Sequence, residues 1–215
     1  MDVLLDNLDV FREGFITTIQ LFALAAVGSL ILGTFLAMLR VSPVPVFRAA
    51  GTLYVTLVRN TPLTLVFLFF FFAYPLLEII DLSYFVAAVV SLIVYTSAFI
   101  CEVVRSGINT VSVGQAEAAR ALGLGFGQVL SHVVLPQSFR SVMPPLISML
   151  IALLKNSTIA GGFSVREAGA IRSILSERGE DQMVTLLWIA AGFIILVMVL
   201  TFVQRTIEKR WSVAR

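Results

Sequence analysis

The feature that most constrains this chain is a set of long segments that contain no charged residue. The first runs from Gly14 to Leu39, and the last lies between Gln182 and Gln204. Each is long enough to cross a hydrocarbon core about 30 Å thick as a helix rising about 1.5 Å per residue. Hydrophobic residues make up 59% of the chain and charged residues 13%, whereas soluble domains have roughly half and a quarter. The sequence therefore predicts an integral membrane protein.

The charge-free segments predict an all-α bundle of five transmembrane helices in a single domain, residues 1–215. The fourth span is irregular, because Pro136, Pro144 and Pro145 each remove a backbone donor that neighbours or water must replace. In the first span, Ser29 and Gly33 form a small-xxx-small pair that would let another helix approach closely. The predicted spans cover about residues 14–40, 52–78, 82–105, 128–162 and 182–205.

The distribution of basic residues predicts the orientation of the bundle. Five spans place the chain ends on opposite sides of the membrane, and basic residues accumulate on the cytoplasmic side. One side would carry Arg40, Arg48, Arg59, Arg105, Arg120, Arg140, Arg205, Lys209, Arg210 and Arg215. The other would carry Arg12, Arg166, Arg172 and Arg178 together with most of the acidic residues. We therefore expect the N-terminus outside and the C-terminus in the cytoplasm.

A short polar helix is predicted at about residues 113–123, between the third and fourth spans. Ser112 and Gln115 have the S-x-x-Q spacing of a capping box, and Gly123 is a natural stop. Alanines between them support a helix without adding bulk, so that another protein could pack closely against it. The segment is typical of a docking helix on the cytoplasmic side.

The spacing of this segment resembles a known family motif. The sequence Glu117-Ala118-Ala119, followed by Gly123, Val133 and Leu135-Pro136, is similar to the EAA loop of bacterial ATP-binding-cassette importer permeases. Further stretches resemble the polar amino-acid uptake permeases, and among them the glutamate-uptake permeases of actinobacteria. The first resemblance rests on Thr17–Ile19, Val58–Leu63, Thr96–Ile108 and Leu153–Thr158. The closer one rests on Arg40–Val44, Arg59–Val66 and Arg105–Val111.

The resemblance implies a fold, a function and a set of partners. The chain would be the permease subunit of a type I importer in a bacterial cell membrane, carrying glutamate or a related polar amino acid. It would pair with a second permease, either a copy of itself or a sister chain, with two ATPase subunits and with an extracellular solute-binding protein. ATP and Mg would be bound by the ATPase and no cofactor by this chain. The resemblance assigns ATPase coupling to Gly114, Gln115, Ala116, Glu117, Ala118, Ala119, Leu122 and Gly123.

Lys155 is the charge that most needs an explanation, because a lysine near the centre of a bilayer costs about 2.5 to 3.5 kcal/mol on insertion scales. With Asn156, Ser157 and Thr158 it would line the translocation path and meet a substrate carboxylate. The alternative is a lysine satisfied by Glu102 or by carbonyls at a helix end. The family pattern here resembles Lys-Asp-Thr-Ser, so Asn156 in place of the acid favours an anionic substrate.

Two other charged groups have simple structural interpretations. Arg59 would anchor the second span at the cytoplasmic headgroups or act in gating. Glu102 and Arg105, three residues apart on one helix, would pair with each other.

The sequence favours no enzymatic chemistry. Neither lysine of the chain, Lys155 or Lys209, follows the glycine pattern of a phosphate-binding loop. His132 stands without a metal-ligand array, and no nucleic-acid partner is needed to explain the charges. A secondary transporter or channel for small polar solutes is the alternative function, although such carriers commonly contain inverted repeats. A membrane protein without transport activity would leave Lys155 unexplained.

Overall fold

The computed structural model describes residues 2–211, apart from the side chains of Asp2, Arg210 and Trp211. Arg215, one of the basic residues placed in the cytoplasm above, therefore lies outside the described residues, as does the side chain of Arg210. Residues 2–211 form helices and no strand. The α-helices are α1 (Asp2–Asp6), α2 (Leu8–Val41), α3 (Pro45–Arg59), α4 (Leu63–Leu68), α5 (Tyr84–Ile108), α6 (Val113–Ala121), α7 (Phe126–Val129), α8 (Leu135–Asn156), α9 (Ile171–Glu177) and α10 (Gln182–Trp211).

The predicted all-α membrane bundle is confirmed. Four helical segments are long and apolar enough to cross a membrane: Leu8–Val41, Tyr84–Ile108, Phe126–Phe163 and Gln182–Lys209. A fifth span is formed if the bent pair Pro45–Arg59 and Leu63–Leu77 is taken as one unit. Within the fourth, a π turn at Leu130–Val134 joins α7 to α8, and a 3₁₀ turn at Ser157–Phe163 follows α8. Short π and 3₁₀ turns at Phe69–Ala73 and Pro75–Leu77 complete the second.

The second span differs from the continuous segment predicted at 52–78, because the chain bends by 103° between α3 and α4. Pro62 has no backbone N–H to continue α3. The side chains of Asn60 and Thr61 bond back to the carbonyls of Thr56 and Leu57, both at 2.8 Å, and so complete the end of that helix. α3 therefore runs in a different direction from the span that it precedes.

Close packing of α2 against α5 forms the centre of the bundle. Ser29 is fully buried, and a side chain on Gly33 would come within 2.8 Å of the Ser97 carbonyl oxygen. The small residues of the first span therefore allow the close approach that their spacing predicted. Phe67 is also fully buried in this core, with its ring centroid 5.2 Å from that of Phe163. Phe67 is therefore a packing residue of the core.

Span four stays helical through its internal prolines, Pro144 and Pro145. Gln204 of α10 donates to the Pro144 carbonyl oxygen at 3.5 Å and to Ser148 Oγ at 3.3 Å. Gln204 of span five therefore binds span four next to the two prolines, which lack the N–H groups of a regular helix.

The two ends of the bundle gather the groups that the charge distribution assigned to opposite sides. At one end, which we call the α6 end, Arg40, Arg59 and Arg105 meet around Glu102. At the opposite end, Arg178 Nη1 donates to Asn7 Oδ1 at 2.8 Å. The connection between spans four and five also packs there on the start of α2, with Ile171 and Leu175 of α9 fully buried.

Glu167, at the same opposite end, is fully buried although it lies in the connection between the fourth and fifth predicted spans. Thr18 Oγ1 donates to Glu167 Oε2 at 3.1 Å and accepts from the Ala168 N–H at 3.0 Å. A side chain on Gly161 or Gly169 would collide with Glu167 Oε1. Burial raises the pKa of Glu167 above its ordinary value, and its hydrogen bonds offset only part of that rise.

The raised pKa of Glu167 predicts a pH-dependent stability. The folded chain holds this proton more tightly than the unfolded chain, so its stabilising effect is complete at acidic pH. It is lost as the pH rises above the ordinary glutamate pKa and through the raised one. Between about pH 5 and about pH 8, the midpoint of thermal unfolding in detergent should therefore fall further for the natural protein than for Glu167→Gln.

Glu177→Gln, at an exposed carboxylate of the same connection, is the matched control and should follow the natural protein. Parallel loss of stability in the natural protein and Glu167→Gln would contradict this assignment.

Candidate coupling helix and translocation path

α6 lies between α5 and α7 and ends as its sequence predicts. Gly123 has φ +89°, a conformation that favours glycine. Its N–H donates to the Arg120 carbonyl at 2.9 Å, and the Leu124 N–H donates to the Ala119 carbonyl at 3.2 Å. These two bonds are the Schellman pattern that closes a helix.

The start of α6 differs from the predicted capping box. The Ser112 side chain makes no capping hydrogen bond. The Gln115 N–H instead donates to the Ser112 backbone carbonyl at 3.0 Å. A side-chain capping bond is present instead at the start of α7, where Gln128 Oε1 accepts from the Gly125 N–H at 2.9 Å. The S-x-x-Q pattern therefore located this helix correctly but not its capping chemistry.

The predicted coupling residues divide between two faces of α6. Gly114, Gln115, Glu117 and Ala118 are exposed, Ala116 is half-buried, and Ala119 is buried against its own chain. Ala118 alone of the two neighbouring alanines is therefore open to close approach by another protein. Ala119 instead allows α6 to pack on the segment that follows it.

Large apolar side chains are exposed at the start of α6, directly after it and at the start of α7. Leu122 is 83% exposed, Phe126 81% and Val113 72%. With Glu117 and Ala118 they form what we call the coupling surface. Val113 and Phe126 were not identified from the sequence, since their apolar character alone suggests burial. Exposed apolar residues next to polar ones are typical of an interface with another protein.

The chain sections on either side of α6 are held together. A side chain on Gly107 at the end of α5 would collide with Val142 of α8. Close by, Thr110 Oγ1 and Ser141 Oγ lie 2.9 Å apart. Because α5 and α8 are in close contact here, a displacement of α6 would act on both spans together.

Glu102 is the common partner of three arginines at the α6 end, a group that we call the arginine cluster. Arg40 Nη1 pairs with Glu102 Oε1, and Arg59 Nη1 lies 3.5 Å from the same oxygen. Arg105 donates to Oε2 through Nε at 3.2 Å and Nη2 at 2.9 Å. The predicted Glu102–Arg105 pair is therefore present. The suggested Glu102–Lys155 pair is not among the ion pairs of residues 2–211.

The predicted path residues Lys155, Asn156, Ser157 and Thr158 do not share one environment. Ser157 is buried and donates to the Leu154 carbonyl at 2.7 Å, and Thr158 donates to the Lys155 carbonyl at 2.8 Å. Both hydroxyls thus donate to backbone carbonyls of their own helical segment. Lys155 is exposed, and within the described part of the chain it forms no ion pair.

Asn156 is the member of this group that lines a partly open cavity. The cavity, which we call the central cavity, has a volume of about 160 Å³ and lies between α5 and α8. Thr96 faces it and is only 4% exposed, yet its hydroxyl has no hydrogen-bond partner among the described residues. The sequence did not single out Thr96, because a threonine in an apolar span gives no sign of which direction it faces. Tyr95, Phe99, Met149, Ala152 and Leu153 complete the lining.

The described residues thus form a helical membrane bundle with a partly open cavity between α5 and α8 and an exposed helix, α6, at one end. The chain belongs to the family of binding-protein-dependent transport system inner membrane components, whose model matches residues 29–213.

Transport permease proteins of other bacteria are similar to this chain over most of its length. A glutamate transport system permease protein, GluC, of Corynebacterium efficiens is 46% identical over 196 residues, 86% of each chain. GluC of Corynebacterium glutamicum is 43% identical over 198 residues, again 86% of each. A probable glutamine ABC transporter permease protein of Bacillus subtilis, GlnM, is 34% identical over 210 residues, 98% of this chain and 97% of its own.

Solved structures share the fold. A crystal structure of an amino acid ABC transporter with histidines matches with a TM-score of 0.90 at 25% identity, covering 96% of both chains. The methionine ABC transporter MetNI in an inward-facing conformation matches with a TM-score of 0.77 at 18% identity, covering 96% of this chain and 98% of its own. At that lower identity the likeness concerns the fold alone.

The two faces of α6 predict different effects of one substitution at neighbouring positions. Ala119→Leu places a larger side chain against the protein itself and should lower the midpoint of thermal unfolding, since overpacking costs about 1 to 3 kcal/mol. Ala118→Leu points outward and should leave that midpoint unchanged in the isolated permease. Equal destabilisation by both substitutions would contradict the burial of Ala119.

Proposed function

We propose that this chain is the permease subunit of an ATP-driven importer in a bacterial cell membrane, carrying glutamate or a related polar amino acid. It pairs with a second permease, itself or a sister chain, and forms the translocation path. Two ATPase subunits dock on its cytoplasmic side and bind ATP and Mg. A solute-binding protein delivers the amino acid from outside.

The observation that carries this proposal is the coupling surface. Its apolar side chains are exposed at the end of a polar helix, where membrane lipid would not cover them if α6 lies in the cytoplasm. An ATPase groove is a fitting partner, because Leu122 and Phe126 would fill apolar pockets while Glu117 bonds to polar groups at their edge. Ala118 allows close approach and Gly123 sets the direction in which the chain leaves the helix.

Transmission of the ATPase motion follows from the contacts around α6. The contacts between Gly107 and Val142 and between Thr110 and Ser141 join α5 to α8. Closure of the ATPase dimer would therefore move spans three and four as one lever. Since the central cavity lies on these two spans, the same movement shifts it relative to the other spans and so changes access to it.

The substrate is an anionic or uncharged polar amino acid in this proposal. The central cavity offers the Thr96 hydroxyl and the Asn156 amide, and none of the described residues that line it is acidic. The amide and the hydroxyl both donate hydrogen bonds to a carboxylate. The names of the GluC and GlnM relatives point to glutamate and glutamine as the first substrates to test.

The test uses the complete transporter, with permease, ATPase and binding protein, reconstituted in vesicles. Glu117→Lys reverses the exposed charge of the coupling surface, and Gly123→Asp places a side chain at a positive φ that glycine favours. Both should reduce ATP-driven glutamate uptake about tenfold or more, because a charge left unpaired at an interface costs several kcal/mol. Less ATPase should also co-purify with each variant.

Glu208→Lys on α10 is the matched control, with the same change in charge at the same end of the bundle, and it should transport normally. If Glu117→Lys and Gly123→Asp retain both uptake and bound ATPase, α6 is not the coupling element.

A further inference from the structure

A second cavity lies at the α6 end of the bundle, next to the arginine cluster. Its volume is about 360 Å³, and its lining includes Arg59, Glu102 and Arg105 together with Ser141 and Pro145 of α8. Small-molecule sites in proteins measure roughly 300 to 1,000 Å³. This space, which we call the arginine cavity, is therefore large enough for a small solute.

The arginine cavity carries an excess of positive charge. Three guanidinium groups surround the single carboxylate of Glu102, so two positive charges are not neutralised within the cluster. Arg40 is the most enclosed, with its side chain 14% exposed, whereas Arg59 is 45% exposed and Arg105 36%. The two more exposed arginines are those that line the cavity.

Arg59 and Arg105 keep donors free for a further partner. A guanidinium has five N–H donors. Arg105 directs Nε and Nη2 at one oxygen of Glu102, while Arg59 reaches the other oxygen only through Nη1 at 3.5 Å. A planar guanidinium with free donors binds a carboxylate through paired hydrogen bonds.

Phe99 places the arginine cavity next to the central cavity. The Arg59 guanidinium carbon lies 5.5 Å from the centroid of the Phe99 ring. Phe99 also lines the central cavity with Thr96 and Asn156. A solute leaving the central cavity towards the α6 end thus meets Arg59 directly after passing Phe99.

We propose that the arginine cavity is a second binding site, on the exit side of the path, for the carboxylate of an acidic amino acid. This inference rests on the proposed function, because it takes the α6 end as cytoplasmic and the substrate as an acidic amino acid. Arg59 is its specificity-determining residue. Arg105 adds positive charge, and Glu102 holds both guanidinium groups in place.

Such a site makes import sensitive to product. An acidic amino acid that accumulates in the cytoplasm occupies the arginine cavity and opposes release of the next molecule. A neutral amino acid of the same shape lacks the second carboxylate and binds there more weakly. Internal glutamate should therefore slow ATP-driven import more strongly than internal glutamine.

The experiment measures the initial rate of labelled glutamate uptake into phosphatidylcholine vesicles that carry the complete transporter and enclose ATP. The vesicles are preloaded with increasing concentrations of unlabelled glutamate or glutamine. With the natural protein, internal glutamate should inhibit at lower concentration than internal glutamine. With Arg59→Gln, the concentration of internal glutamate that halves the rate should rise about tenfold, the effect of losing one or two charged hydrogen bonds.

Arg48→Gln is the matched control, because Arg48 is an exposed arginine of the same helix that does not line the cavity. It should be inhibited like the natural protein. Ser106→Asp, at a residue that lines the cavity and lies outside the Thr110–Ser141 contact, is a second variant that keeps all three arginines and places an acid in the cavity. It should weaken the inhibition in the same way, and so the test survives if Arg59→Gln folds poorly.

Equal inhibition by internal glutamate and glutamine, or equal behaviour of Arg59→Gln and Arg48→Gln, would overturn the proposed site while leaving the importer assignment intact. A response to Arg59→Gln that needs anionic lipid in the vesicles would assign the arginines to lipid phosphate and also overturn it. Absence of ATP-driven glutamate uptake in the natural protein would overturn the proposed function and the site's ligand together.

Discussion

The contact on which the arrangement of the α6 end depends is the ion cluster around Glu102. Charges that are partly removed from water are costly, and the carboxylate of Glu102, whose side chain is 22% exposed, needs partners for both of its oxygens. Arg40 from α2, Arg59 from α3 and Arg105 from α5 supply them. One side chain thus joins α2, α3 and α5 shortly before the chain enters α6. The ion pairs and the turn at Pro62 together hold α3 at an angle of 103° to the segment that follows it.

Much of the fold could be predicted from the sequence, because the signals used are local. Charge-free segments identify spans through the cost of placing charge in lipid, and Gly123 identified a helix end that needs a positive φ. The bend at Asn60–Pro62 could not be predicted from these signals. Hydropathy along 52–78 reports composition, which is the same for a straight span and for two helices at a sharp angle. The geometry of the bend depends on α5, where Arg59 pairs with Glu102 and lies over the Phe99 ring, residues that are distant from it in the sequence.

The candidate site was predictable as a segment but not side chain by side chain. The motif located α6, yet it assigned Ala118 and Ala119 the same role although only Ala118 faces outward. Lys155 was selected because of its charge, whereas Asn156 beside it and Thr96 on another span line the central cavity. Nothing near Glu167 in the sequence indicates that its side chain is buried or that Thr18 is its partner. In each case the missing information is which face of a helix meets which neighbour, a property of the tertiary structure.

In the proposed function, an ATPase outside this chain drives transport through the permease, so the source of energy is the claim to test. The most direct measurement is glutamate uptake by vesicles carrying the natural permease, either with its ATPase, binding protein and enclosed ATP, or alone with an imposed proton or sodium gradient. We predict uptake in the first case and none in the second. Gradient-driven uptake by the permease alone would contradict the account and identify a secondary transporter.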